Sequence, residues 1–283
     1  MPACAGKAKN HLIVMTTLTI SQLAIYPVKS MRQIQLQKSP LQFGGLKHDR
    51  RWMVIDNDGV MIAQRKVARL CLIQPELLSP EVDCSIKLIA PEMPEIKVSV
   101  PDGKVMCKAK VWDDECNAYD AGDEVANWLS DFLKVECRLV YFPDDEIRIV
   151  DQTYAQPNDQ TAFSDGFPVL LTTQASLDDL NSRMDETIPM ARFRPNIVVS
   201  GCEPFAEDEW QQLKVGNVTL RIVKPCSRCV IPSIDINNAQ RTEEPIKTLI
   251  SYRKRDNKIF FGQNVVADGE GTLEVGMALE LFE

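Results

Sequence analysis

Cys226 and Cys229 lie three residues apart in Lys224-Pro-Cys-Ser-Arg-Cys229, the closest spacing among nine cysteines. A thiolate on a short connection can ligate a soft metal, carry sulfur or cycle through a disulfide. The runs on either side, residues 219–224 and 230–236, both read as strands, so the pair is expected on a link between them. The tetrapeptide alone does not choose among these chemistries, nor against a plain loop with two half-buried thiols.

Four polar clusters fall where strand patterns begin or end: Tyr26-Pro-Val-Lys-Ser30, Lys47-His-Asp-Arg-Arg51, Ala162-Phe-Ser-Asp-Gly166 and Arg192-Phe-Arg-Pro-Asn196. Any one of them, taken alone, reads as a solvated loop. Together they supply Lys29, Arg50, Arg51, Arg192 and Arg194, and arginine forks match the geometry of a phosphate. Neither Gly-x-Gly-x-x-Gly nor Gly-x4-Gly-Lys-Ser/Thr occurs, so a phosphate site here is neither a Rossmann turn nor a Walker loop.

Composition narrows the function classes. The 283 residues are 45% hydrophobic and 25% charged, as in an ordinary globular protein. A net charge of −8 argues against a nucleic-acid partner, because no basic excess is available to displace counterions from phosphates. Two histidines, His11 and His48, are too few for a His-based zinc site or a Ser-His-Asp hydrolase. Nine cysteines without a regular framework, in a chain too long to need staples, point to a reducing cytoplasm. No apolar run is long enough to span a bilayer, so no membrane association is expected. Residues 1–17 read as a loose tail with no signal peptide, and Met15 as an alternative start.

The elements that must position these residues are mostly strands. Leu18 to Tyr26 is rich in β-branched and apolar residues and stops at Pro27. One hairpin is expected at 51–63 around Asn57-Asp-Gly59, and another joins 96–100 to 105–111 across Pro101-Asp-Gly-Lys104. Residues 120–133 read as a helix, with Val125, Trp128, Leu129 and Phe132 on one face and acids in its first turn. A strand is expected at 138–142 and a second helix at 174–183. Short strands at 196–200, 218–223, 230–236, 259–266 and 277–282 favour a barrel or strongly curved sheet. The expected class is α+β, predominantly β, with a few peripheral helices. The division is a first domain at 18–142, a polar connection at 143–162 and a second domain at 163–283.

Tyr26-Pro-Val-Lys-Ser30, His48-Asp-Arg-Arg-Trp52, Phe163-Ser-Asp165, Phe193-Arg-Pro-Asn-Ile197, Cys226-Ser-Arg-Cys229 and Phe261-Gly-Gln263 occur in the order seen in MOSC proteins. Over roughly residues 19–283 the chain resembles the group with an N-terminal MOSC beta-barrel domain ahead of the MOSC domain. That group includes the mitochondrial amidoxime-reducing component and bacterial reductases of N-hydroxylated bases. The motifs are specific jointly rather than singly.

The resemblance implies a molybdenum cofactor, a pyranopterin dithiolene ending in a phosphate. Carried over by motif position, Cys229 is the catalytic thiolate on molybdenum and Cys226 is not a ligand. Lys29, Ser30, Arg50 and Arg194 match positions that hold the pterin and its phosphate, while Ser164, Asp165, Asn196 and Ser227 match positions lining the pocket. Asp165 is a candidate for proton handling, with turn capping or a hydrogen bond to the pterin as the plainer role. The implied reaction is two-electron reduction of an N–O bond in hydroxylamines, amidoximes and N-hydroxylated bases, with loss of water. The family also carries a label for pyridoxal phosphate binding, with little support in these residues. No Cys-x4-Cys-x2-Cys run occurs, so no iron–sulfur cluster is expected on this chain. Electrons are then expected from a separate flavoprotein, ferredoxin or cytochrome. The alternatives are a molybdenum-cofactor or sulfur carrier without turnover, a dithiol redox protein, and a structural zinc half-site. Against the dithiol, Pro232 with Ile231 and Ile234 suggests an extended segment after Cys229, unlike a thioredoxin-type motif.

Overall fold

The computed structural model describes residues 17–282, so the expected tail and the Met15 start lie outside the described residues. The chain is mostly β, with three α-helices among the described residues. Its largest sheet has nine strands and mixes both ends of the sequence. Thr19–Ile25 runs antiparallel to Ile197–Ser200, which is parallel to Val169–Thr173. Lys258–Asp268 then pairs antiparallel with both Val169–Thr173 and Val218–Ser227.

This register decides where the polar clusters go. Leu23 faces Ile197, Leu171 faces Ile197 and Gln263, and Pro225 faces Gln263. The trailing end of Thr19–Ile25 and the leading ends of Val169–Thr173 and Ile197–Ser200 therefore lie together, and Val218–Ser227, which runs parallel to the last two, brings Pro225 near its own C-terminal end level with them. Each of the four leads into or out of a polar motif. Beneath them, Ile20, Leu23, Val169, Leu171, Ile197 and Val265 close one core.

A second core belongs to residues between the first strand and the connection. Trp52, Leu70, Ile86 and Leu139 pack there against Val125, Trp128, Leu129 and Phe132 of the helix Asp123–Leu133, the face expected from their spacing. The helix starts three residues later than its pattern suggested, because Asp114–Asp120 is a strand and Gly122, at φ 95°, turns the chain between them.

Three local readings are corrected. Ile96–Val98 does not pair with Met106–Val111; it joins Ile86–Ile89, and Met106–Val111 pairs instead with Asp114–Asp120. Asp-Gly is a strong turn signal, but the tight turn that forms is at Trp112 and Asp113, with Trp112 at φ 58°. The segment after Cys229 is not extended: Ile231–Ser233 is a 3-10 turn with Pro232 in its first positions, where the fixed φ and missing N–H cost nothing. The strand expected at 218–223 runs on to Ser227, so Cys226 lies within it and Cys229 just beyond. In the expected connection, Arg148–Ile149 and Gln160–Thr161 form a short ladder.

Candidate functional site

Lys29, Ser30, Arg50, Ser164, Asp165, Arg194, Asn196, Ser227 and Cys229, all singled out from sequence, line one cavity of about 140 Å3. Ser30, Arg50 and Arg194 have φ of 71°, 49° and 61°. Left-handed backbone costs a non-glycine residue of order 1–3 kcal/mol, and such conformations gather at binding sites. Here the sheet ends hold them: the Arg50 N–H donates to Tyr26 O (2.9 Å), and the Phe163 N–H donates to Arg50 O (3.0 Å).

The cations are fixed by buried neighbours. Arg50 Nη1 donates to Asp49 (2.5 Å) and to Asn196 Oδ1 (2.9 Å), while its Nη2 reaches Arg194 O (3.2 Å). Asn196 also donates to Ala24 O and accepts from the Leu170 N–H, joining three strands. Arg194 Nη1 donates to Met31 O (2.6 Å). Both guanidiniums lie over the Tyr26 ring, at 4.3 and 4.2 Å from its centroid. Burial pushes Tyr26 up to about 12 and Arg194 down to about 10, so the phenol stays neutral and the guanidinium charged at neutral pH.

Lys29 Nζ donates to Phe163 O and to Asp165 Oδ1, both at 2.7 Å, which leaves one of its three N–H donors for the cavity. Burial lowers the Lys29 pKa, and the charge of Asp165 opposes that. For Asp165, burial raises the pKa, but the Lys29 ammonium outweighs it and holds the carboxyl well below the usual range. Its side chain is nonetheless 64% exposed, as a carboxylate on the wall of an open cavity should be: closely surrounded on one side, open on the other. Arg148, itself buried, clamps this loop through the carbonyls of Ala162 and Ser164 and pairs with Asp114. Ser164 Oγ is hydrogen-bonded to Thr161.

Two arginines complete the cavity without a signal in the sequence strong enough to single them out. Arg228 sits between the cysteines; its Nη1 contacts Cys226 Sγ (3.0 Å) and its Nη2 donates to Phe193 O (2.6 Å). Arg65 comes from the first half of the chain and lies 4.0 Å over the Trp112 ring. The Nε atoms of Arg65 and Arg228 are buried without a partner. Conversely, two cations expected to join the set do not. Arg51 bonds Phe142 O and Asp144, and Arg192 bonds Pro232 O; each is captured by a nearby carbonyl and neither lines the cavity.

The thiols differ. Cys229 is exposed and Cys226 half-buried, both on the cavity wall. No group of three or more His, Cys, Asp or Glu residues suited to a metal occurs among the described residues, so zinc would find no complete ligand set. His48 binds Pro80 O on another face. The Phe-Gly-Gln motif is architectural: Phe261 stacks on Phe193 at 3.9 Å, and a Cβ on Gly262 (φ 78°) would lie 2.7 Å from Leu171 O.

Comparison with known proteins agrees along the chain. Residues 17–136 match the MOSC N-terminal beta barrel domain, and residues 158–280 match the MOSC domain. Mitochondrial amidoxime-reducing component 1 of Homo sapiens is 36% identical over 96% of this chain and 85% of its own length. The same component of Mus musculus is 35% identical over 91% and 80%. Mitochondrial amidoxime reducing component 2 of Bos taurus is 34% identical over 91% and 81%. Motifs, fold and relatives thus converge, and the chain belongs to the MOSC family, as a homologue of the mitochondrial amidoxime-reducing components.

Proposed function

We propose that this protein reduces N-hydroxylated compounds at a molybdenum cofactor held in the cationic cavity, taking electrons from a separate flavoprotein, ferredoxin or cytochrome. The observation that carries this reading is the gathering of Lys29, Arg50, Arg65, Arg194 and Arg228 around an exposed thiol, in a protein of net charge −8. The residues fit such a group. Buried donors without acceptors, the Arg65 and Arg228 Nε atoms, cost about 1–3 kcal/mol each until an acceptor-rich anion relieves them. A lone thiolate suits a metal whose remaining ligands arrive with it.

In this reading Arg50, Arg194, Lys29 and Ser30 grip the phosphate and pterin, while Asn196, Ser164 and Ser227 complete its hydrogen bonds and Cys229 supplies the protein ligand. When bound, the cofactor supplies the two-electron couple that cleaves the N–O bond. Asp165, held ionised, acts as an acceptor that orients the substrate's N–OH or water rather than as an acid. The division proposed is a first domain at 18–142 and a second at 163–283, with 143–162 between; the family matches at 17–136 and 158–280 support it. A reducing compartment suits eight described cysteines that are all free; the cytoplasm is the first candidate and the mitochondrion named for the relatives the second.

The test is elemental analysis with turnover. Protein from a cofactor-competent host should hold about one molybdenum per chain, as a single one-thiolate site requires, and should reduce an amidoxime when given an electron donor. Zinc without molybdenum overturns the reading, and molybdenum without turnover leaves a cofactor carrier.

A further inference from the structure

Beside the cationic cavity opens a wider groove of about 540 Å3, sharing Asp165, Cys226, Ser227 and Asn264 with it. Its electrostatics are reversed. Asp113, Asp114, Asp151 and Asp165 face it, against the cations Arg148 and Lys224. Asp114 is paired with Arg148 and Asp165 with Lys29, which leaves Asp113 and Asp151, without a salt bridge among the described residues, against Lys224, whose Nζ sits 4.0 Å from the Tyr154 ring centroid. Two hydrogen bonds from Thr153 hold Asp151 below its ordinary pKa, so its charge persists at neutral pH.

The groove also has a flat wall. Trp112 is 45% exposed, whereas Trp52, Trp128 and Trp210 are buried. Its indole N–H donates to Asp165 (3.2 Å) and the Arg65 guanidinium lies over its ring, so the exposed indole is pinned where the two cavities join. Ile149 and Phe167 extend the apolar surface. A rigid aromatic wall among carboxylates favours a flat, delocalised cation.

We propose that this groove is the substrate subsite, that it selects N-hydroxylated compounds whose reduced product is a delocalised cation on a flat body, and that Trp112 and Asp113 set that choice. The inference rests on the reductase reading. An amidoxime is a weak base and neutral near pH 7, whereas the amidine it yields is protonated: R–C(NH2)=NOH + 3H+ + 2e− gives R–C(NH2)2+ and H2O. Positive charge thus develops during reaction, and carboxylates facing the groove favour the later species over the neutral substrate.

The full-length protein is titrated with benzamidine, benzamide and benzoate, reading the fluorescence of Trp112. Benzamidine should quench saturably and the other two should not. Asp113→Asn should weaken benzamidine about two- to fivefold, the usual worth of an exposed charge. Trp112→Phe should erase the signal while calorimetry still detects weakened binding. Benzoate binding as tightly as benzamidine overturns the proposal, as does benzamidine binding that Asp113→Asn and Asp151→Asn leave unchanged. Benzamidine selectivity in a protein without molybdenum or turnover would sink the reductase reading and keep the cation subsite. Turnover without that selectivity would do the reverse.

Discussion

The cationic cavity and the acidic groove share a wall yet are built on different principles. The cavity's cations are locked in place: Arg50 has a buried aspartate and a buried asparagine, Lys29 is buried against Asp165, and three of the residues hold left-handed backbone. The groove's acids, Asp113, Asp114, Asp151 and Asp165, all sit at exposed positions. Rigid, desolvated charge suits a ligand that stays, and exposed charge suits one that must leave. The same contrast ranks the consequences of mutation.

The largest effects belong to the cavity's thiol. Cys229→Ala should abolish amidoxime turnover and molybdenum retention together, whereas Cys226→Ala, which removes the half-buried thiol that Arg228 contacts on the cavity wall, should cost no more than the 10–100-fold typical of supporting residues. Turnover surviving in the first and lost in the second would invert the assignment. Next comes Arg50→Leu. It strips the ion pair from the buried Asp49, a loss of about 3–5 kcal/mol, which should lower Tm by roughly 10 °C in calorimetry for a chain of this size. An unchanged Tm would mean that the cavity is not held as described. Arg65→Leu removes a residue without a salt-bridge partner among the described residues and should leave Tm nearly unchanged.

A third test uses pH. The folded Asp165 pKa is depressed below its ordinary 3.8, so the stability it contributes is complete above that value and fades as pH falls through the folded pKa. Asp165→Asn should therefore melt lower than the parent at pH 6 to 8, with the gap narrowing only below about pH 4, where the unfolded carboxyl takes up its proton. Its exposure keeps the gap small. A gap that widened on acidification would mean that the Lys29 ion pair is not what holds the carboxyl.

Much of this was legible in the sequence for physical reasons. The helix at Val125 to Phe132 shows because its apolar face repeats at helical spacing, and the polar clusters show because each ends a strand. That those strand ends coincide is a matter of register, which depends on pairings such as Leu23 with Ile197 that are 174 residues apart in sequence. The cavity was thus predictable only through the family resemblance. Arg65 and Trp112 escape even that, since they come from separate turns of the first half and matter only through their contact with each other and with Asp165. Arg51 and Arg192 failed as candidates because any arginine near a strand end looks available until its carbonyl partner is known.

The smallest expected effect is also the most diagnostic of the groove. Asp113 is exposed, with no salt bridge to it among the described residues, so its attraction for a cation passes through water. Charges separated by solvent are screened within about 8 Å at physiological ionic strength. The benzamidine affinity lost in Asp113→Asn should therefore be largest in dilute buffer and should vanish near 1 M salt, where the screening length falls to about 3 Å. Molybdenum retention, which the proposed site assigns to the buried Arg50 and Lys29, should barely respond to the same salt. Equal salt dependence of both quantities would show that the two cavities act as one electrostatic surface; unequal dependence would show that a desolvated anion pocket and a solvated cation groove work side by side.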